Sequence, residues 1–493
     1  MKKYIFLILF ILIVTKLVGQ VKNIKRIETT CSLKDNNALI PLAKHGFALI
    51  FCHNKLICYD LNLNKKGSVK LVTNDNYIIS ESFGVDSLVY LFSIKGRSGF
   101  KVDVINTSSL LLEKTFYGGP DPGFTARFNS FKVSKNSIIV EGNYFLYRID
   151  MLTGKQTKLY MFGEGEIDKY SLNYNTDELF VFFNKKAKKR KKEMTIIEYS
   201  NVGKKIHTFK LNKNTDYTIT NINVTKSGYG VLFFTGTYYS SLSKNKKTKF
   251  SAGTTAYEKY KSEGLFMAKA IRDSVVFVKY YNFLKFDDFL PDLSDDKMAR
   301  IEKRIEKNEI SGKELAFSFN IVSHEIIETK DGNIFIGESF YPVYTNYYDG
   351  SKNVKRFEGY QYTHGLVAKF NFEGEKIWDK SFKLNVFIEE PELKRIITVK
   401  RSYDEETIRL LYSNNGIIYS KKISMDKFNV VENKSNFVSV NAQTEGIKKD
   451  LSKIKYWYDQ YFISYGNQVL KDADQPLGKK RMKASYVAKV SVN

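Results

Sequence analysis

Thr225-Lys226-Ser227-Gly228 runs into Tyr229–Tyr239 (YGVLFFTGTYY), and about a hundred residues later Thr329-Lys330-Asp331-Gly332 runs into Asn333–Tyr341 (NIFIGESFY). The two stretches are copies of one unit. Each continues through a polar, tyrosine-rich excursion into a second strand-like run. The first copy resumes at Gly264-Leu265-Phe266-Met267-Ala268-Lys269 and reaches Phe283; the second resumes at Gly365-Leu366-Val367-Ala368-Lys369 and reaches Leu384. Units of this kind cannot bury their apolar faces alone, so stacking them side by side is the expected solution. That points to a radial β architecture, above all a β-propeller.

The rest of the chain fits the same pattern. Short runs rich in Val, Ile, Phe and Tyr recur between Asn, Asp, Gly and Lys turns, as at Gly46–Cys52, Leu88–Ile94, Ser137–Gly142, Leu179–Phe183 and Ile408–Tyr412. Some 28 to 32 such runs are expected, which at four strands per blade gives an all-β, single β-propeller of seven or eight blades, with seven as first choice. Gly374 in Asn-Phe-Glu-Gly and Gly154 in Leu-Thr-Gly mark hairpin turns of the same kind. Ala484–Val492 (ASYVAKVSV) repeats the Ala-Lys element and is expected to close against an N-terminal strand around Ile27 to Leu33. One segment departs from the pattern. Pro291–Gly312 carries an N-cap serine, Ser294, two aspartates in its first turn and an apolar stripe of Met298, Ile301 and Ile305, and predicts a short helical insertion near 291–312.

Lys2 and Lys3 precede an unbroken apolar run, Tyr4–Val14, and Gly19-Gln20 offers a cleavage site. That arrangement predicts a signal peptide over 1–19, with residues 20–493 forming the repeat domain. The run is short of the roughly 20 apolar residues a bilayer needs, so no transmembrane segment is expected in the mature chain. Export to the periplasm, the outer-membrane surface or the medium follows. Cys31, Cys52 and Cys58 are an odd number of thiols in an exported chain. Cys52 and Cys58 flank a hairpin turn, and a buried apolar role is preferred to a disulfide or a metal site.

The net charge of +25 favours anionic partners, but lysine is spread along the whole chain. The one dense run, Lys185–Lys192, sits between two strand-like segments and reads as a hairpin loop. Export excludes its reading as a nuclear signal, and no nucleic acid is expected as partner. No nucleophile elbow, zinc motif, phosphate loop or calcium loop occurs. No cofactor, metal or catalytic residue is therefore assigned, and a monomer is expected.

The most site-like stretch is the second excursion, Ser339–Gly365. Tyrosines combine an apolar face with a hydroxyl and suit carbohydrate or peptide recognition. The candidate ligand-binding residues are Tyr341, Tyr344, Arg356, Glu358, Tyr360, Gln361, Tyr362 and His364. The function expected is a binding or scaffold module recognising a glycan, peptide or cell-envelope protein. A hydrolase or lyase of polysaccharide or peptide is the alternative, with Glu338 and Glu358 as paired acids. Electrostatic adhesion through the lysine-rich loops is a second one.

These stretches also carry a resemblance. Gly312-Lys313-Glu314-Leu315, His324-Glu325-Ile326-Ile327, Gly337-Glu338-Ser339-Phe340-Tyr341-Pro342, Phe357–His364 and Ile377-Trp378-Asp379 resemble a family of exported, uncharacterised proteins from Bacteroidota. The resemblance covers roughly residues 300–385. It implies origin and export, and brings no activity with it.

Overall fold

Strands that are apolar on both faces must be covered on both faces, and this chain builds them repeatedly. In Leu88–Lys95 the residues Val89, Tyr90, Leu91 and Phe92 are all buried. The following strand, Gly99–Asn106, is buried nearly as fully, whereas the next, Leu111–Gly118, is mostly exposed. Burial thus peaks in the middle strands of a sheet and fades at its outer strand. The computed structural model describes residues 21–29, 33, 39–51, 54–71, 76–119, 128–142, 145–161, 166–186, 192–211, 215–227, 230–240, 261–286, 299, 303, 307, 318–348, 350, 353–390, 393–402, 406–414, 417–425, 430–436, 447–470 and 482–492.

Among these residues the strands form eight antiparallel sheets, seven of them four-stranded. The runs of hairpin-linked strands in the sheets start at Leu39–Pro41, Ile78–Val85, Phe128–Val133, Glu166–Leu172, Tyr217–Ser227, Phe319–Ser323, Thr398–Arg401 and Ile447–Tyr458, with Lys261–Ser262 added to the sixth sheet and Val21–Thr29 to the last. Consecutive hairpin-linked strands lie side by side in each, which is the blade of a β-propeller. The count settles at eight rather than the preferred seven. Short pieces such as Leu39–Pro41 and Thr398–Arg401 complete two of the sheets, and their three and four residues are too brief to show as alternation in the sequence.

The helix expected near 291–312 is not borne out as an element of the fold. Apart from Ala299, Lys303 and Lys307, three exposed positions in helical backbone, that segment lies outside the described residues. Three apolar side chains in some twenty residues offer little surface to hold a helix whose nucleation is itself costly. The helical elements among the described residues are two 3-10 turns, Ala43–His45 and Phe283–Lys285.

The chain divides into two compact units. The first holds residues 1–132, 140–142 and 396–493. Here the N-terminal strand Val21–Thr29 pairs with the C-terminal strand Met482–Val492, from Val21 opposite Val492 to Thr29 opposite Ser485. The expected closure is present, with the first strand a few residues earlier than 27–33. Phe47 stacks on Tyr59 at 4.8 Å and meets Trp457 edge-on at 5.6 Å, while the Trp457 indole N–H donates to the Gly46 carbonyl at 2.7 Å. Cys58 lies buried and free in a second core cluster of this unit, with Ile40, Ala48, Leu56 and Leu91, as the apolar reading required; Cys31 and Cys52 lie outside the described residues.

The second unit holds residues 133–139 and 143–395 and carries both copies of the repeat. Its sheets interdigitate around Phe182, Ile196, Phe209, Ile219, Phe234 and Phe266, all fully buried. Each such side chain contributes about 1.5–3 kcal/mol through burial. The inner strands run the same way from sheet to sheet: Asn221 donates to the Ile321 carbonyl at 2.6 Å, and Asn223 to Ser323 Oγ at 2.8 Å. Lys169 reaches Asn223 at 2.5 Å, and Lys226 reaches Glu178 at 2.5 Å and Glu198 at 3.3 Å, which ties the preceding sheet on in the same sense.

Candidate functional site

The two copies of the repeat part company at one register position. In the first, the strands Val231–Ser240 and Gly264–Ile271 are paired up to Tyr238 opposite Gly264. In the second, the equivalent pair is Glu338 opposite Gly365, and pairing then continues through two bulges to Tyr348 opposite Asn353. The tyrosine-rich excursion is therefore a hairpin made by strands Gly332–Tyr348 and Asn353–Asn371, and not an irregular loop. Its neighbours stop sooner. Phe319–Ser323 pairs only as far as Phe340, and Lys376–Ile388 only as far as Tyr360. Beyond them the last six residues of the rising strand, about 20 Å at the rise of a strand, have strand pairing on one side only among the described residues.

A two-stranded ribbon is marginal in water, so something must stiffen it. One face does so with rings. Tyr344 meets Phe357 at 5.6 Å, Phe357 meets Tyr360 at 5.0 Å, Tyr360 meets Phe340 at 5.6 Å, and Phe340 meets Tyr362 at 6.0 Å. Tyr360 and Tyr362 are buried, at 3% and 1% exposure. The Tyr362 hydroxyl donates to the Lys394 carbonyl. Burial, and then the nearby Glu338 carboxylate, push that phenol far above the ordinary tyrosine range. These two candidates brace the hairpin instead of facing a ligand.

The opposite face is the exposed one. Two bulges shape it, one opposite Ser339/Phe340 and one opposite Val343/Tyr344. A bulge leaves one residue without a cross-strand partner and re-aims its side chain. The second bulge does this to Glu358, whose Oε1 accepts from Arg356 Nε at 2.6 Å and from Thr345 Oγ1 at 2.6 Å. Hydrogen bonds from Arg356 first, then Thr345, hold the Glu358 carboxyl below its usual range, and the same pairing raises the Arg356 guanidinium. Below this network lies a row across three strands, Tyr341 opposite Gln361 opposite Phe387. Tyr341 is 51% exposed and Phe387 37%, and two strand spacings put them about 9–10 Å apart. Gln361 donates to the Tyr362 carbonyl at 3.1 Å and to Asn385 Oδ1 at 3.3 Å, so its own carbonyl remains as an acceptor between the rings. His364 sits opposite Ser339 and Lys383, half-buried at the foot of the row.

The structure thus brings together Tyr341, Arg356, Glu358 and Gln361 on one face. Tyr344 lies on the other face at 37% exposure, and Tyr360 and Tyr362 lie beneath it. Phe387 and Thr345 were missed by the sequence reading. The sequence expectation ends the strand-like run at Leu384; in the structure Asn385 adopts a left-handed backbone with φ of 50° and sits within the bulge, after which pairing resumes.

Glu338 and Glu358 do not form a pair of acids. Between five and six residues of strand separate them, about 18 Å, against the roughly 5–9.5 Å of glycosidase carboxylates. Glu338 is fully buried and bound to His324, with Oε1 2.6 Å from Nε2. Among the described residues no group of three or more His, Cys, Asp or Glu is placed to hold a metal ion.

No family model and no curated protein matches the sequence. Solved structures do resemble the fold. The WD40 domain of SCAP from fission yeast aligns over 96% of this chain and 98% of its own length, at 10% identity and a TM-score of 0.42. The Dos1 propeller aligns over 96% and 95%, at 10% identity and 0.43. The tricorn protease aligns over 84% of this chain at 14% identity and 0.41, and the chain spans 36% of that protein's length. None of these likenesses bears on what the chain does; the propeller assignment rests on its own eight sheets.

Proposed function

We propose that this protein is an exported binding module that recognises an extended ligand, glycan or peptide, on the outward face of the hairpin 341–361. The observation that carries this reading is the place where the two repeat copies diverge. The shared strands are scaffold, and among the described residues it is the second copy that extends them into a braced ribbon with exposed rings beside a fixed polar network. Exposed tyrosine and phenylalanine held on a sheet give large contact area at little entropic cost. Export is supported by Lys2, Lys3 and the run Tyr4–Val14. Among the described residues no helix is long and apolar enough to cross a membrane.

The test is to replace Tyr341–Gln361 with Asn-Gly, which joins the paired residues Phe340 and Tyr362 through a two-residue turn. Intact and shortened proteins are titrated against a panel of soluble oligosaccharides and ten-residue peptides. The intact protein is expected to bind at least one member, and the shortened protein to lose it while keeping its melting transition. Equal binding by both proteins, or none by the intact one, contradicts the reading.

A further inference from the structure

We infer that the ligand of this face is an acidic polysaccharide, laid across the row Tyr341, Gln361 and Phe387. This deepens the reading above and rests on it. Three observations converge. First, the row presents two exposed rings about 9–10 Å apart with an amide carbonyl between them, which suits stacking against successive flat sugar faces.

Second, the polar groups beside the rings include acceptors. Arg356 and Thr345 both donate to Glu358 Oε1, so the second carboxylate oxygen and the Gln361 carbonyl call for hydroxyl or amide donors. A polyhydroxylated chain supplies these at every residue. A phosphodiester backbone supplies none.

Third, the surrounding charge is positive. Exposed Lys383 ends the row beside His364, and the Glu358 carboxylate is paired with Arg356. The chain's net charge of +25 adds to the pull on a polyanion.

The probes are oligogalacturonate, its methyl-esterified form, dextran sulfate, oligo(dT) and oligoglutamate, each titrated calorimetrically against the full chain. At least one of the two acidic glycans is expected to bind. Esterification, or raising NaCl from about 50 to about 500 mM, is expected to weaken that binding about tenfold or more. Tyr341→Ala and Phe387→Ala are each expected to weaken it roughly fivefold, and Tyr117→Ala, a still more exposed tyrosine of the first unit, to leave it unchanged. Binding to neither acidic glycan, or equal binding of the esterified form, overturns the inference. So does tighter binding of oligo(dT) or oligoglutamate that depends on Tyr341 and Phe387, although the hairpin reading then stands. Acidic-glycan binding indifferent to both substitutions overturns the hairpin reading itself.

Discussion

Lys489 shows how single residues of the repeat hold the sheets together. Its ammonium lies 4.0 Å from the centre of the Tyr461 ring, donates to the Tyr458 hydroxyl at 2.6 Å, and donates to the Leu61 carbonyl in the last turn of the first sheet at 3.1 Å. Lys269, at the matching Ala-Lys position, lies 5.5 Å from the Phe233 ring centre and donates to the Phe372 carbonyl in the last turn of the next sheet at 3.4 Å. Lys369, in the second copy, pairs with Asp331 at 2.7 Å. The shared lysine is thus a buried or half-buried clasp rather than part of the basic surface. Lys489→Met keeps the stem and removes the charge, and is expected to cost about 2–3 kcal/mol, read as a lower urea midpoint. A shift below about 0.5 kcal/mol would contradict that role. Cys58 gives a prediction in pH. Burial pushes its thiol up to about 11, against 9.0 unperturbed, with Lys66 opposing weakly. Below about pH 9 the thiol is neutral in both folded and unfolded chains, so its full contribution is present. Between about pH 9 and 11 only the unfolded chain ionises, and stability is lost across that window. In a Cys31→Ser, Cys52→Ser background, Cys58 should resist iodoacetamide at pH 8 until urea unfolds the chain. Rapid labelling of the native protein would refute its burial.

At the scale of elements, the hairpin depends on close backbone approach at Gly359. A Cβ there would lie 2.1 Å from the Ile388 carbonyl oxygen, and its φ of 150° is one that side chains avoid. Gly359→Ala is expected to push Lys376–Ile388 away from the hairpin, costing on the order of 1–3 kcal/mol. Amide exchange at 386–388 should accelerate; unchanged exchange would show that the outer strand does not depend on this contact. The same residues explain what the sequence conceals. The scaffold strands are legible because Val, Ile and Phe alternate or run together between turn residues, and Ser137–Gly142 matches its expected limits residue for residue. Gly374, with φ of 78°, sits in the turn expected of it. The excursion reads as polar and tyrosine-rich rather than as strands, and Pro342 and Gly359 are residues that ordinarily end a strand. Pro342 stands on the edge of the ribbon, and Gly359 fills the place where two backbones nearly touch, so neither interrupts the pairing. Of the candidate site, the tyrosines were visible as a type of residue, but which face each occupies depends on two bulges that no periodicity reveals.

At the scale of the molecule, the first and last described strands lie in one sheet, so its outer strand comes from residues 21–29 and its inner three from residues 447–492. Deleting 21–29 would leave Met482–Val492 with an unpaired edge. The expected outcome is a lower, less cooperative melting transition together with oligomers on size-exclusion chromatography. A truncated chain that melts like the intact one would show that the pairing is not needed for closure. The central claim, that the ligand meets the molecule on the ribbon of the second repeat copy, is tested most directly by hydrogen exchange of the whole chain with and without saturating oligogalacturonate. Protection confined to 341–361 and 383–388 is the predicted result. Protection elsewhere, with those segments unchanged, would contradict it.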